Sequence, residues 1–190
     1  MSKTQQLSNN RIAHYFEQGT GEPLVLIHGV GMQAAAWYPQ IEFFSKHYRV
    51  ISVDMPGHGQ SSKLADDAKL QDFVDWTIEF ITALDIGAVN LAGHSMGSLI
   101  STGVSVTRPD LVKRMAVLNG VYKRTSQARN AVVQRAEELK TGHIDIETPL
   151  QRWFGDTEIE RIASEHVKSW LESVDLSGYT TAYSAFAWGD

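Results

Sequence analysis

Residues 89–100 read Val-Asn-Leu-Ala-Gly-His-Ser-Met-Gly-Ser-Leu-Ile, and the prediction of the fold starts from this segment. A short apolar run leads into Gly93-His94-Ser95-Met96-Gly97, and small residues at helical spacing follow. This order predicts a strand, a tight turn and a helix. Glycines two positions before and after Ser95 suit a sharp turn, because a Cβ there would collide with neighbouring backbone. The turn would hold Ser95 strained and exposed, beside the positive end of the helix dipole, and this arrangement suits a nucleophile.

The same five residues also fit a simpler interpretation. A serine can cap a helix after a glycine-rich turn without doing chemistry, and Gly-x-Ser-x-Gly by itself leaves both interpretations open. The segment nevertheless resembles the nucleophile elbow of the α/β-hydrolase family. That resemblance implies that Ser95 attacks the substrate and that the Met96 N–H helps to bind the oxyanion.

A second motif of the same kind follows the run Leu24-Val25-Leu26-Ile27, which is short and apolar as in a parallel strand covered on both faces. His28-Gly29-Val30-Gly31-Met32 comes directly after it and is similar to the His-Gly motif of the family. The resemblance implies that the Val30 N–H is the other oxyanion donor. Taken alone, the motif also fits an ordinary glycine-rich loop.

The third motif is Asp54-Met55-Pro56-Gly57-His58-Gly59-Gln60-Ser61, which closely resembles the Asp-x-Pro-Gly-x-Gly-x-Ser loop of α/β-hydrolases. Its residues look structural, because a Pro-Gly turn fixes the backbone while Asp54 and Ser61 can hydrogen-bond to it. We therefore assign His58 no catalytic role and expect it to be buried or satisfied within the turn.

The fold class predicted from the whole pattern is α/β, with a mostly parallel sheet, crossover helices and a helical cap. Residues 1–121 would form the N-terminal part of an α/β-hydrolase core, with an early hairpin over residues 5–17. The further predicted strands are 24–27, 49–53, 114–118 and the short apolar run from Val89 that meets the turn at Gly93. The predicted helices are 37–47, 70–84 and one that starts just after Ser95 and is ended by Pro109.

Residues 122–190 show helical periodicity without strands, and they resemble the cap that many members of the family insert after the sixth strand. The predicted helices cover 128–139, 149–154, 158–171 and 179–186. Seven aromatic residues follow Leu150. They would suit a lid over an apolar pocket, although ordinary helix packing explains most of them equally well.

Two parts of the family pattern have no counterpart in these residues. In the family, the triad acid and the histidine come after the cap, together with further core strands. We therefore expect the base and its acid partner to come from sequence outside this chain. His143 and His166 fall in the predicted cap, where solvated positions are expected.

The charge and composition of the chain limit the kinds of partner, cofactor and cellular location that we expect. There are 17 basic and 22 acidic residues, which give a net charge of −5, so no nucleic-acid or anionic-membrane partner is expected. The chain has no cysteine, and its first residues lack the apolar core of a secretory signal, so we expect a cytoplasmic protein. No His/Asp/Glu spacing matches a metal-ligand set, and neither a cofactor nor a metal is expected.

The function predicted from the sequence is a serine hydrolase acting on a carboxylic ester, a lactone or a related small apolar acyl substrate. A serine nucleophile argues against haloalkane dehalogenase and epoxide hydrolase chemistry, for which the family uses aspartate. Carbon–carbon bond hydrolysis and perhydrolysis remain open. The alternative is a non-catalytic, truncated hydrolase-like protein or interaction module. A strand at 114–118 would leave an apolar sheet edge through which the chain could self-associate.

Overall fold

A computed structural model describes all 190 residues, and a six-stranded sheet lies at its centre. The strand order is β1-β2-β4-β3-β5-β6, and β3 to β6 are parallel. The strands are β1 (Ser2–Gln6), β2 (Ile12–Gln18), β3 (Glu22–Ile27), β4 (Tyr48–Val53), β5 (Val89–His94) and β6 (Val112–Leu118). The helices are α1 (Tyr38–Phe44), α2 (Leu70–Ala83), α3 (Met96–Thr107), α4 (Ser126–Lys140), α5 (Glu147–Trp153), α6 (Glu158–Ser173) and α7 (Leu176–Trp188).

The predicted hairpin is present as β1 and β2, which pair antiparallel. Its connection contains Asn9 and Asn10 at φ 55° and 58°, the left-handed conformation that asparagine tolerates best after glycine. The first predicted helix is shorter than expected. It ends at Phe44, and residues 45–47 form a turn before β4. Residues 34–37 form a tighter 3₁₀ turn, and α1 begins at Tyr38, with a proline in its first turn.

The sheet buries both of its faces, because successive side chains of a strand point to opposite sides. Leu26 and Val50 pack with Ile41 of α1 on one face. Their strand neighbours Ile27 and Ile51 belong to the large core on the other face, which includes residues of α2 and α3. Short apolar runs without alternation are therefore the expected sequence of these central strands.

The helices after β6 form a second, smaller core. It consists of Leu139, Leu150, Val167, Leu171 and Tyr179. Val30, in the loop after β3, packs against it. Helix α7 belongs to both layers, because Ala182 and Ala185 lie in the large core of the sheet. The proposed division of the chain at residue 121 stays a prediction.

Strand β6 forms one edge of the sheet, with β5 as its single neighbour. Met115, Val117 and Leu118 are 42%, 51% and 41% exposed, which is unusual for apolar residues of a parallel strand. None of the helices is both long and apolar enough to cross a bilayer.

Candidate active site

Ser95 occupies the sharp turn between the last residue of β5 and the first residue of α3. Its backbone has φ 53° and ψ −116°, a conformation that costs an L-residue about 1–3 kcal/mol. The Ser95 N–H donates to Leu118 O at 3.0 Å, which fixes the turn to the end of β6. The Ser95 carbonyl accepts the Ser98 N–H at 3.0 Å and its hydroxyl at 2.5 Å. The turn is therefore held from both sides, as a strained conformation requires.

Two glycines allow this turn to form. A Cβ on Gly93 would lie 2.0 Å from Gly97 O, so no side chain fits between the strand and the helix. A Cβ on Gly29 would lie 3.2 Å from Ser95 Cβ, which places the loop after β3 directly beside the serine. The two glycine-rich motifs of the sequence therefore meet at one edge of the sheet, where parallel strands end.

The predicted oxyanion donors both have free backbone N–H groups. Val30 lies outside the helices and strands, and no hydrogen bond in the chain uses its amide. In the same loop, the Gly31 N–H donates to His58 Nε2 at 3.0 Å and the Met32 N–H to Gly29 O at 3.1 Å. Met96 is the first residue of α3, where helical amides lack an internal acceptor. The assignment of Val30 and Met96 to an oxyanion hole stays a prediction.

Two buried histidines near this edge of the sheet hydrogen-bond to the backbone of the loops after β3 and β4. His28 Nδ1 donates to Gly29 O at 2.8 Å, while its Nε2 accepts the Met55 N–H at 2.9 Å. His58 Nδ1 donates to Pro56 O at 3.1 Å. Burial lowers the pKa of both imidazoles, that of His58 to about 3, so both act as neutral hydrogen-bonding groups. His58 is buried within its turn, as expected.

Asp54 is the centre of the third motif. Its Oδ1 accepts the Ala34 N–H at 2.6 Å and its Oδ2 accepts the Gln60 N–H at 3.1 Å. The Ser61 hydroxyl donates to Asp54 O at 2.7 Å. A Cβ on Gly59 would lie 2.1 Å from Asp54 Oδ2, so only glycine fits there. The carboxylate thus ties together the loops after β3 and β4.

No histidine of the chain hydrogen-bonds to the Ser95 hydroxyl. His94 is its neighbour in sequence, and partial burial lowers the pKa of this ring. His143 and His166 are exposed on the layer formed by α4 to α7, here called the helical layer. The expectation that neither serves Ser95 agrees with these positions.

A polar group on the helical layer was missed in the sequence. The Tyr179 ring packs over Gly31, where a Cβ would lie 3.1 Å from its Cε2. Burial raises the pKa of Tyr179 to about 12, and the charge of Arg135 opposes this increase. Tyr183 lies against Tyr179, with ring centroids 5.7 Å apart. Arg135 is held by Asp145, 3.1 Å from its Oδ2. No sequence pattern predicts this group, because it depends on how α4 packs against α7.

The fold and this turn define the class of protein. The family model described as the alpha/beta hydrolase fold matches residues 22–140. The chain belongs to the α/β-hydrolase fold family, and the prediction of a hydrolase is confirmed at that level.

Among its relatives, the chain is 80% identical over all 190 residues to (E)-2-((N-methylformamido)methylene)succinate hydrolase of Acinetobacter baylyi, of which it spans 72%. The enol-lactonase from Burkholderia xenovorans has a TM-score of 0.89 at 24% identity, with coverage of 99% of this chain and 74% of that one. E-2-(acetamidomethylene)succinate hydrolase has a TM-score of 0.79 at 18% identity, with coverage of 100% and 74%. These two structural similarities concern the fold alone.

Proposed function

We propose that the chain is a serine hydrolase that cleaves the N-acyl bond of a small unsaturated dicarboxylate, of the kind that the name of the Acinetobacter relative gives as that protein's substrate. The observation that carries the reaction is Ser95 in its strained turn between β5 and α3. The 80% identity carries the substrate class. The substrate would thus be an anionic amide, which differs from the small apolar ester or lactone expected from the sequence.

In the proposed reaction, a base takes the proton of the Ser95 hydroxyl, Oγ attacks the formyl carbon, and the carbonyl oxygen becomes an oxyanion. The N–H groups of Val30 and Met96 would bind this oxyanion, which stabilises the transition state more than the substrate. The C–N bond then breaks, the nitrogen leaves with a proton, and water releases the formyl group from Ser95. We propose that the base for both proton transfers lies in the part of the family pattern that these residues do not cover.

The electrostatics of the helical layer support a substrate with carboxylates. Arg135 lies on this layer beside Tyr179 and Tyr183, and Tyr179 contacts the Gly31 backbone next to Val30. A guanidinium and two phenol hydroxyls can bind a carboxylate, and a substrate carboxylate would here share Arg135 with Asp145, which already binds it. Simple esters, carbon–carbon bonds and perhydrolysis are the alternatives that the same turn would serve.

The test uses a protein in which these 190 residues are joined to the part of the Acinetobacter hydrolase that they do not match, here called the extended protein. We expect it to release formate from (E)-2-((N-methylformamido)methylene)succinate. Ser95→Ala should lower kcat by at least ~10³-fold, because the residual rate would come from binding and oxyanion stabilisation alone. Ser105→Ala, a hydroxyl deletion further along α3, is the matched control and should retain activity.

Two outcomes would contradict the proposal, and they are distinguishable. Full activity of Ser95→Ala would remove Ser95 from the mechanism. Ser95-dependent turnover of aryl esters or lactones without any formate release would retain the nucleophile and reject the dicarboxylate amide as the substrate.

A further inference from the structure

A hydrogen-bonded row of three side chains lies away from Ser95. Ser2 Oγ is 2.8 Å from His14 Nε2, and His14 Nδ1 is 2.6 Å from Asp54 Oδ2. The register of the sheet explains the first contact. Thr4 pairs with His14, so Ser2 is the diagonal neighbour of His14 on the same face of the hairpin.

The direction of the hydrogen bonds follows from the surroundings of Asp54. Its oxygens already accept backbone N–H groups from Ala34 and Gln60, so the carboxylate also acts as the acceptor for His14. In the neutral tautomer that donates from Nδ1, Nε2 carries a lone pair. The Ser2 hydroxyl must then donate to Nε2. A serine, a histidine base and an orienting carboxylate in this order are the arrangement that activates a hydroxyl for attack.

We propose that Ser2 is a second activated serine, which takes the acyl group of small activated esters independently of Ser95. In this step a bond forms between Ser2 Oγ and the acyl carbon, and the ester C–O bond breaks. The hydroxyl proton moves to His14 Nε2 and from there to the departing oxygen. No further reactant is needed, and the product is an acylated Ser2.

The position of the row supports this reaction. Ser2 is exposed, whereas the His14 and Asp54 side chains are only 2% and 3% exposed, so the base is shielded and the nucleophile is accessible. His14 and Asp54 border a cavity of about 360 Å³, whose other walls include Tyr38, Gln60 and Trp170. Neither Ser2 nor Ser95 is part of the cavity wall, so an ester would reach the exposed Ser2 hydroxyl from the surface of the hairpin.

The test uses the 190-residue chain carrying Ser95→Ala and an alkyl fluorophosphonate, which reacts with activated hydroxyls by forming an O–P bond and losing fluoride. Labelled residues are located by peptide mapping. We expect Ser2 to react at least ~10²-fold faster than Ser8, because a positioned base contributes ~10²-fold to 10⁴-fold. Ser8 is the matched control, since its hydroxyl contacts Arg11 and no histidine.

Three further variants and one condition sharpen the result. Ser2→Ala should remove the label and Ser8→Ala should leave it unchanged. His14→Gln, with its fold checked by circular dichroism, should reduce labelling to the level of Ser8. Unfolding in urea should have the same effect on the parent chain, because the row exists only in the folded hairpin.

Equal labelling of Ser2 and Ser8 in the folded chain would overturn the proposal, since His14 would then only satisfy a hydrogen bond. Labelling of Ser2 that survives His14→Gln in a folded protein would overturn it as well. If His14→Gln does not fold, the comparison of Ser2 with Ser8 decides.

Discussion

Gly97 of α3 lies directly against the carbonyl oxygen of Ile27 at the end of β3. A Cβ on Gly97 would lie 2.3 Å from that oxygen and 2.7 Å from His28 O. Backbone atoms cannot move aside as a flexible side chain can, so the absence of a side chain lets the helix approach β3. The approach brings Ser95 beside the loop that carries Val30, which makes Gly97 a test of the site as well as of the fold.

We therefore expect Gly97→Ala to lower the free energy of unfolding by about 1–3 kcal/mol through overpacking. In the extended protein it should also reduce formate release, because α3 must shift away from β3. Urea unfolding and the formate assay measure the two effects. Gly142→Ala is the control, since no atom lies within 4 Å of its Cβ and only its positive φ adds a cost. A stable, fully active Gly97→Ala protein would contradict the close approach.

The buried His58 predicts a pH dependence of stability. Burial lowers its pKa to about 3 from the usual 6.5. The unfolded chain takes up a proton below pH 6.5 and the folded chain does not, so His58 reduces stability progressively as the pH falls from about 6.5 to about 3. The slope attributable to this residue is at most about 1.4 kcal/mol for each pH unit.

Urea unfolding at a series of pH values checks this prediction. In His58→Gln, whose side-chain oxygen can still accept the Gly31 N–H, stability should depend less on pH than in the wild type. His143→Gln, a change at an exposed histidine, should leave the pH dependence as it is. Parallel curves for wild type and His58→Gln would show that His58 is protonated in the folded state.

The proposed oxyanion donors can be tested without changing a side chain. Replacing the amide between Ser95 and Met96 by an ester removes the Met96 N–H alone. In the extended protein, we expect kcat to fall ~10²-fold to 10³-fold with little change in KM, as for the loss of one oxyanion donor. The same replacement at the amide of Ala128, which already serves to cap α4, is the control for the chemistry of the exchange. An unchanged kcat would remove Met96 from the site.

The exposed edge of β6 predicts self-association of the 190-residue chain. Met115 and Val117 are apolar and about half exposed on a strand with a free edge, which favours pairing with another copy. We expect the molar mass in solution to rise with protein concentration, and Val117→Lys to weaken this rise. Val106→Lys, on the exposed surface of α3, should have no effect. A concentration-independent monomer would contradict the prediction.

No histidine hydrogen-bonds to the Ser95 hydroxyl, and this predicts low activity of the 190 residues alone. Without a base at Ser95 Oγ, turnover should come only from oxyanion binding, at most ~10³-fold to 10⁴-fold above the uncatalysed rate. The extended protein should exceed this level in the formate assay. Comparable, Ser95-dependent rates for the two proteins would direct the search for a base to His143 or His166.

Much of the core could be predicted because it depends on local patterns. Short apolar runs gave the parallel strands, and the glycines around Ser95 gave the turn, since few other residues allow such close backbone contacts. The prediction was less accurate for α1. There the predicted helix continued through residues 45–47, which the structure places in a turn before β4, because helical spacing does not mark the residue at which a helix ends.

The α/β sheet and the strand-to-helix turn at Ser95 could be predicted from the sequence alone, because the glycine, serine and histidine motifs constrain the backbone over only a few residues. The contacts between side chains that are far apart in the chain became visible only in the tertiary structure. It set Arg135 beside Tyr179 on the helical layer and joined Ser2 to Asp54 through His14. These contacts bring together residues far apart in the chain. Their distances depend on how strands pair and helices pack, which no local pattern specifies.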